Sequence, residues 1–288
     1  MIFVRLKGGL GNQLFQYATG LRLALKNNTA LKLDIKAYEN DLLRFYALNA
    51  FNISAPIATD EELQLIKPRH WSFKNLFQAK SDLKNGSAYL YLVENFFHVD
   101  PKVLEATDNV YLDGHWQSEK YFMEIENIVR REFSFKEPLD EKNKKLLDEI
   151  ESAASVSVHI RRGDYVTNTR LAHGTCSLDY YLNCAGIICE HRKNVHFYIF
   201  TDDPKWTAEN LRLPSAMTIV EGNQDSQSHK DLQLMSACRD NIIANSSFSW
   251  WGAWLNANPK KMVLTPKCWF ITPKHNTDDL IPDDWQQI

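Results

Sequence analysis

Apolar residues crowd the first places of the chain, MIFVRL, and the run ends at KGGLGN. A short apolar run closed by glycine and polar residues reads as a buried strand, so residues 2–6 predict one. From Asn12 the period changes. Leu14, Ala18, Leu21 and Leu25 recur at helical intervals, with Tyr17 beside them, which predicts an amphipathic helix. ALKLDI at 30–35 is a second strand. Residues 36–110 follow no dominant period; Pro56, Pro68 and Pro101 and aromatic groups such as ENFFH at 94–98 interrupt them. VYLDGHWQ at 110–117 is strand-like and precedes a helical stripe of Tyr121, Ile125, Ile128 and Val129. The stretch EFSFKEPLDEKNKK at 132–145 is charged, poor in apolar period and holds Pro138, and so marks a candidate domain boundary.

The second half alternates more regularly. Strands are expected at 155–160, 195–200, 217–220, 241–244 and 261–265, with helices at 177–191, after Asp203-Pro204, and at 229–238 and 247–256. Asp203 and Pro204 are suited to the cap and first turn of a helix. Alternating strand and helix implies a parallel sheet covered on both faces. The expected division is an N-terminal α/β domain over 1–150 and a Rossmann-like domain over 151–288.

Parallel sheets bind ligands beyond the carboxyl ends of their strands. In the second half those ends carry HIRRGD, TDD (201–203), EGN (221–223), NSSFSWW (245–251) and TPKCW (265–269). They would gather two arginines, a histidine, several carboxylates and a serine pair along one edge. Strand alternation sets His159 and Arg161 on one face and Arg162 on the other. Arg161 then suits an anionic ligand, because a planar guanidinium makes paired hydrogen bonds to phosphate oxygens. Arg162 would brace the loop through Asp164. A buried Arg–Asp brace without a ligand is the competing reading. Ser246 and Ser247 stand where a strand turns into a helix, a place that attracts phosphate but also one where serine is an ordinary cap. Asp231, early in its helix, can accept from guanine N1–H and its 2-amino group; a dipole-favoured helix-end Asp is the plainer reading. Trp250, Trp251 and Trp254 read as core rather than as a stacking platform.

Composition narrows the classes. Of 288 residues 44% are hydrophobic and 24% charged, with net charge −3, which disfavours nucleic-acid binding through a basic surface. No run of 18 apolar residues occurs, and MIFVRLK reads as a strand rather than a signal peptide. The expectation is a cytoplasmic protein meeting the inner membrane, if at all, from its surface. Five cysteines with no C-x-x-C pair point to reduced, buried thiols. Gly9, Gly11 and Asp34 invite a dinucleotide reading, but Leu14 occupies the third glycine position. No H-x-H, H-x-x-x-H or D-x-D occurs, so no metal site is expected, and the side chains of Asp202-Asp203 should diverge.

GGLGNQLFQYA (8–18), GHWQSEKYF (114–122), HIRRGDY (159–165), TDD (201–203) and SSFSWWGAWL (246–255) occur in that order over nearly the whole chain. Together they resemble the bacterial α-1,2-fucosyltransferases of glycosyltransferase family 11. H-x-R-R and the Asp-bearing helix are more distantly similar to α-1,6- and protein O-fucosyltransferases. The resemblance implies two Rossmann-like domains facing a cleft, the GT-B type, with GDP-fucose mostly on the second. It implies inverting transfer from GDP-β-L-fucose to the 2-hydroxyl of a terminal β-galactoside, without a metal or other cofactor. Donor contacts carried over are His159, Arg161, Asp231, Ser246, Ser247 and Phe248, with Asn12 approaching from the first domain and Asp34 incidental. Arg161 is the expected catalytic cation. The general base is left open. The core-fucosylating relatives carry a Glu shortly after R-R-x-D, whereas VTNTRLAHG here has no acid. His173 and Asp164 are the first candidates, then Asp113 and His115. Two competing readings are an NAD-dependent oxidoreductase, on Gly9, Gly11 and Asp34, and a non-catalytic GDP-sugar or glycan-binding module. For the latter, Trp71, Phe96, Phe97 and Trp116 would suit sugar stacking. The acceptor glycan and the oligomeric state leave no legible mark.

Overall fold

The computed structural model describes residues 1–66, 89–167, 174–223, 225–271 and 275–288, with the side chains of Asp164 and Thr167 left out. His173 and Trp71 therefore lie outside the described residues, as does the side chain of Asp164.

The chain forms two compact units. One holds Met1–Ser134 with Asp278–Leu280; the other holds Phe135–Thr277 with Ile281–Ile288. The division falls inside the charged 132–145 stretch rather than at 150. A cut at 150 would sever the helix Glu141–Ser152, whose Ile150 is buried among Tyr198, Phe200 and Leu234 of the second unit. That helix escapes a sequence reading because its apolar stripe, Leu146, Leu147 and Ile150, is narrow and set among charges. It is capped by Asp140, whose side chain accepts from the Asn143 N–H at 3.0 Å.

In the first unit β1 (Ile2–Arg5), α1 (Leu10–Lys26), β2 (Leu31–Asp34), α2 (Asp60–Ile66), β3 (Leu90–Val93), α3 (Pro101–Glu105), β4 (Val110–Asp113) and α4 (Glu126–Glu132) surround a four-stranded sheet. Its strands run parallel in the order β2-β1-β4-β3. Parallel strands are covered on both faces and so are apolar throughout; Ile2, Phe3 and Val4 of β1 are buried accordingly. Leu14, Tyr17, Ala18 and Leu21 are buried as their spacing predicts, whereas Leu25, in the last turn of α1, is exposed. The stripe after β4 is broken into two short 3-10 turns before α4 begins.

In the second unit the helix Glu141–Ser152 is α5. It is followed by β5 (Ala154–Ile160), α6 (Gly163–Thr167), α7 (Leu178–His191), β6 (Val195–Thr201), α8 (Pro204–Asn210) and β7 (Ala216–Val220). Then come α9 (Ser228–Ala237), β8 (Asp240–Ile242), α10 (Ser247–Leu255), β9 (Val263–Thr265) and β10 (Gln286–Gln287). The sheet is parallel with spatial order β7-β6-β5-β8-β9-β10. Counted from β5 this is 3-2-1-4-5-6, the order of dinucleotide-binding sheets. Alternation along β6 sends Phe197 and Ile199 to a core with α7, and Tyr198 and Phe200 to one with α5 and α9. The order reverses between β5 and β8. The loops leaving those two strands frame the crevice where such sheets bind ligands.

Candidate functional site

β5 delivers His159 and then Arg161 to this switch point. His159 is buried, its ring 5.6 Å from that of Phe248, and its Nδ1 has no hydrogen-bond partner. Burial, with the Arg161 charge added, pushes its pKa down to about 3, so the imidazole is neutral at physiological pH. Arg161 Nη1 sits 2.8 Å from Asp202 Oδ2, and its guanidinium lies 5.3 Å from the Tyr165 ring centroid.

Arg162 faces elsewhere. Its Nε is 3.3 Å from Asp203 Oδ2, and its guanidinium stacks 3.6 Å from the centroid of the Trp206 ring. The described brace thus comes from Asp203, at the end of β6. The side chains of Asp202 and Asp203 diverge as expected, one to each arginine. Asp202 Oδ1 also accepts the Arg162 backbone N–H at 2.8 Å, and Asp203 caps α8 by accepting from the Trp206 N–H at 3.1 Å. Gly163 makes this approach possible, since a Cβ there would stand 2.7 Å from Asp202 Oδ2.

Across the switch point, Ser246 caps α10, its hydroxyl accepting from the Phe248 N–H at 3.3 Å. Ser247 and Phe248 are half-buried, while Trp250, Trp251 and Trp254 are buried in the core. The exposed N–H groups of a helix start carry partial positive charge toward an anion. Asn245 is a residue whose role the sequence does not announce. It is buried, and its Nδ2 donates to the carbonyls of Gly174 and Trp269, both at 3.1 Å. One amide therefore ties together the segment that leads into α7 and the loops that follow β8 and β9.

Asp231 lies in the first turn of α9. Its Oδ1 accepts from Asn223 Nδ2 at 2.8 Å, and Asn223 is itself paired with Asn143. Burial pushes the Asp231 pKa up to about 7, with the Asn223 hydrogen bond and the Lys142 charge opposing the rise.

A helix start, a guanidinium, a neutral imidazole and a carboxyl at one sheet edge suit a nucleotide diphosphate. The glycosyl transferase family 11 model matches residues 1–288. The chain belongs to glycosyl transferase family 11. It is 34% identical to the α-1,2-colitosyltransferase of Escherichia coli, over 100% of this chain and 99% of that one. It is 32% identical to the O-antigen biosynthesis glycosyltransferase WbnK of E. coli, over 97% and 98%. It is 25% identical to galactoside α-(1,2)-fucosyltransferase 1 of Rattus norvegicus, over 86% and 61%. A crystal structure of NodZ α-1,6-fucosyltransferase soaked with GDP-fucose matches 88% of the chain and 91% of NodZ, at 17% identity and a TM-score of 0.53. That likeness bears on fold, and the fold is α/β of the GT-B type.

In this family 11 glycosyltransferase the first unit gathers a second constellation at the carboxyl end of its sheet. Gly8, at φ +78°, turns the chain after β1, and a Cβ there would stand 2.6 Å from Asn12 Nδ2. Asn12 Oδ1 accepts from Gln117 Nε2 at 2.7 Å. Asp113 is nearly enclosed: Oδ1 meets Lys7 Nζ at 2.7 Å, and Oδ2 meets Arg5 Nη1 at 2.8 Å and the Tyr91 hydroxyl at 3.1 Å. Burial alone would raise its pKa, but Lys7 and Arg5 outweigh burial and hold it below the ordinary carboxylate value. Asp34 is buried, accepting from the Tyr111 hydroxyl at 2.6 Å and from the Lys36 N–H at 2.9 Å. It serves the sheet edge, which removes the ribose contact that an NAD reading needs. Trp116 is buried, whereas Phe96 is exposed and stacked on His98. Among the cysteines, Cys268 is exposed, contrary to the expectation of burial, because it lies in the loop after β9; all five are free thiols. Among the described residues no helix is long and apolar enough to cross a membrane.

Proposed function

We propose that this glycosyltransferase moves L-fucose from GDP-β-L-fucose to the 2-hydroxyl of a terminal β-galactoside of a bacterial surface glycan. The anomeric centre inverts to α, and the glycan and the nucleotide sugar are its working partners. The observation that carries the reading is that β5, which leads to Arg161, and β8, which leads to the Ser246-capped start of α10, are neighbours at the switch point, with the His159 ring 5.6 Å from that of Phe248. In this reading Asp231 accepts from guanine, and neutral His159, Phe248 and Ser247 line the donor. Asn12 belongs to the first unit, on the acceptor side.

The acceptor oxygen attacks C1 as the C1–O bond to the diphosphate breaks, and the electron pair leaves with GDP. Arg161 and the helix-start N–H groups stabilise that growing charge, which is electrostatic preorganisation. The protein's own cations take the role that a divalent ion plays in many sugar-nucleotide enzymes, so no metal or other cofactor is required.

A second donor has a specific observation behind it: the relative at 34% identity is a colitosyltransferase. Colitose is fucose lacking the 3-hydroxyl, so the two donors share the nucleotide and differ at one sugar position. The test incubates the protein with GDP-fucose or GDP-colitose, a panel of β-galactosides and excess chelator, with the product linkage read by NMR. An α-1,2-fucosylated galactoside formed in the presence of chelator is expected. Transfer from GDP-colitose alone would reassign the donor, and loss of activity with chelator would remove the cation role from Arg161.

A further inference from the structure

β3 and β4 are register neighbours, Val93 opposite Asp113, so Glu94 and Gly114 leave the sheet side by side at its carboxyl edge. Glu94 turns back onto the loop after β4. Its Oε2 accepts the His115 N–H at 2.8 Å, and its Oε1 accepts the Trp116 N–H at 2.9 Å. The same Oε2 lies 3.6 Å from His115 Nδ1. The carboxylate side chain is 13% exposed and the imidazole 40%. A largely covered acid therefore stands beside a partly exposed imidazole.

The loop is built around this contact. A Cβ on Gly114 would stand 2.5 Å from Glu94 Cβ and 2.6 Å from the Trp116 ring, so only glycine admits the carboxylate. Trp116 is held at φ +54°, a left-handed conformation rare for a bulky residue. It is buried, and its carbonyl accepts the Ser118 N–H at 2.8 Å. Strain retained at such a position marks a loop whose shape is over-determined by its surroundings.

We infer that His115, oriented by Glu94, is the catalytic base that takes the proton of the acceptor hydroxyl in the first unit. This rests on the transfer reading above. With Nδ1–H turned toward Glu94, the free lone pair is on Nε2, the arrangement by which a carboxylate sets the tautomer of a catalytic imidazole. Contacts of this kind are commonly long before substrate binds. As the acceptor oxygen bonds to C1 and the C1–diphosphate bond breaks, the hydroxyl proton passes to Nε2, and the imidazolium later returns it to water. Asp113 does not compete. Both its oxygens are engaged by cations from β1 and the loop after it, and its lowered pKa makes it a weaker proton acceptor than an ordinary carboxylate.

Glu94, at the end of β3, faces His115; close by in the chain Asp113 is held by Arg5 and Lys7, and Tyr121 feels the Glu94 charge. Of these only Glu94 is in ion-pair range. Burial would raise the Glu94 pKa, yet His115 and the two backbone N–H groups hold it below the ordinary value. It is thus held ionised to lower pH than an ordinary glutamate.

The test is a pH–rate profile of transfer for wild type, His115→Gln and Glu94→Gln, with GDP binding and thermal unfolding measured alongside. Wild-type kcat should rise through an imidazole limb. His115→Gln should lose on the order of 10²–10³ in kcat together with that limb, while GDP affinity and unfolding temperature hold. Glu94→Gln should change the pH dependence of kcat, because the imidazole has lost its charged partner, while GDP affinity holds; a purely structural residue would move the unfolding temperature and leave the limb in place. If wild type transfers sugar and His115→Gln retains both kcat and the limb, His115 is not the base. If wild type transfers nothing from any GDP-sugar, the transfer reading itself has failed.

Discussion

Asp231→Asn isolates the base-recognition step of the donor site. In the wild type one carboxylate oxygen is held by Asn223 Nδ2 at 2.8 Å, and burial has brought the group to a pKa of about 7. Guanine presents two donors, N1–H and the 2-amino group, and only the ionised form accepts both. At pH 8 the group is about nine-tenths ionised and at pH 6 about one-tenth, so GDP should bind about tenfold more weakly at pH 6. The asparagine side chain turns an N–H₂ toward one guanine donor. Losing two charge-assisted hydrogen bonds, at roughly 1.5–3 kcal/mol each before compensation by water, leaves a net cost of about 3 kcal/mol. That is about a hundredfold in Kd at pH 8. Isothermal titration calorimetry at pH 6, 7 and 8 reads both effects. The terminal phosphate of GDP also titrates near pH 6, so the quantity to compare is the difference in pH slope between wild type and Asp231→Asn, which cancels the phosphate. His159 does not interfere, being neutral throughout that range. IDP, which lacks the 2-amino group, supplies the second axis: wild type should prefer GDP, and the variant should not. Equal GDP affinity in the two proteins, or parallel pH slopes, would refute the assignment of Asp231 to guanine.

Arg161→Ala should cost about 3 kcal/mol in the transition state, about a hundredfold in kcat, measured as GDP release under saturating donor with chelator present. Asn245→Ala strips donors from the carbonyls of Gly174 and Trp269; denaturant unfolding should show a loss of about 2–4 kcal/mol with an unchanged m-value. Asp113 titrates below its ordinary value when folded, so its stabilising contribution is complete above the unfolded carboxylate pKa and fades as pH falls through the folded one. Asp113→Asn should accordingly cost about 2 kcal/mol at pH 7 and shrink the difference from wild type toward pH 3, as read by unfolding temperature against pH.

The second unit was largely legible from the order of residues, because a strand buried on both faces must be apolar along its length and helices announce themselves by period and cap. β5, β6, β7, α7 and α9 fall within a residue or two of their expected places, and Ser177 and Asp203 cap the helices that follow them. The ends of those strands, HIRRGD, TDD and NSSF, were likewise visible as candidate chemistry. Tertiary structure alone decided which acid meets which arginine: Asp202 stands 40 residues and Asp203 41 residues from Arg162, and only the β5–β6 register sets them beside it. The same holds for β3, whose LYLV carries no distinguishing signal, and for the Glu94–His115 pair that its register with β4 brings together. Local periodicity is a property of a few consecutive residues and survives in the linear chain. Side-chain partnership across a parallel sheet depends on strand order, which joins residues far apart in sequence and is settled only when both faces of the sheet are packed.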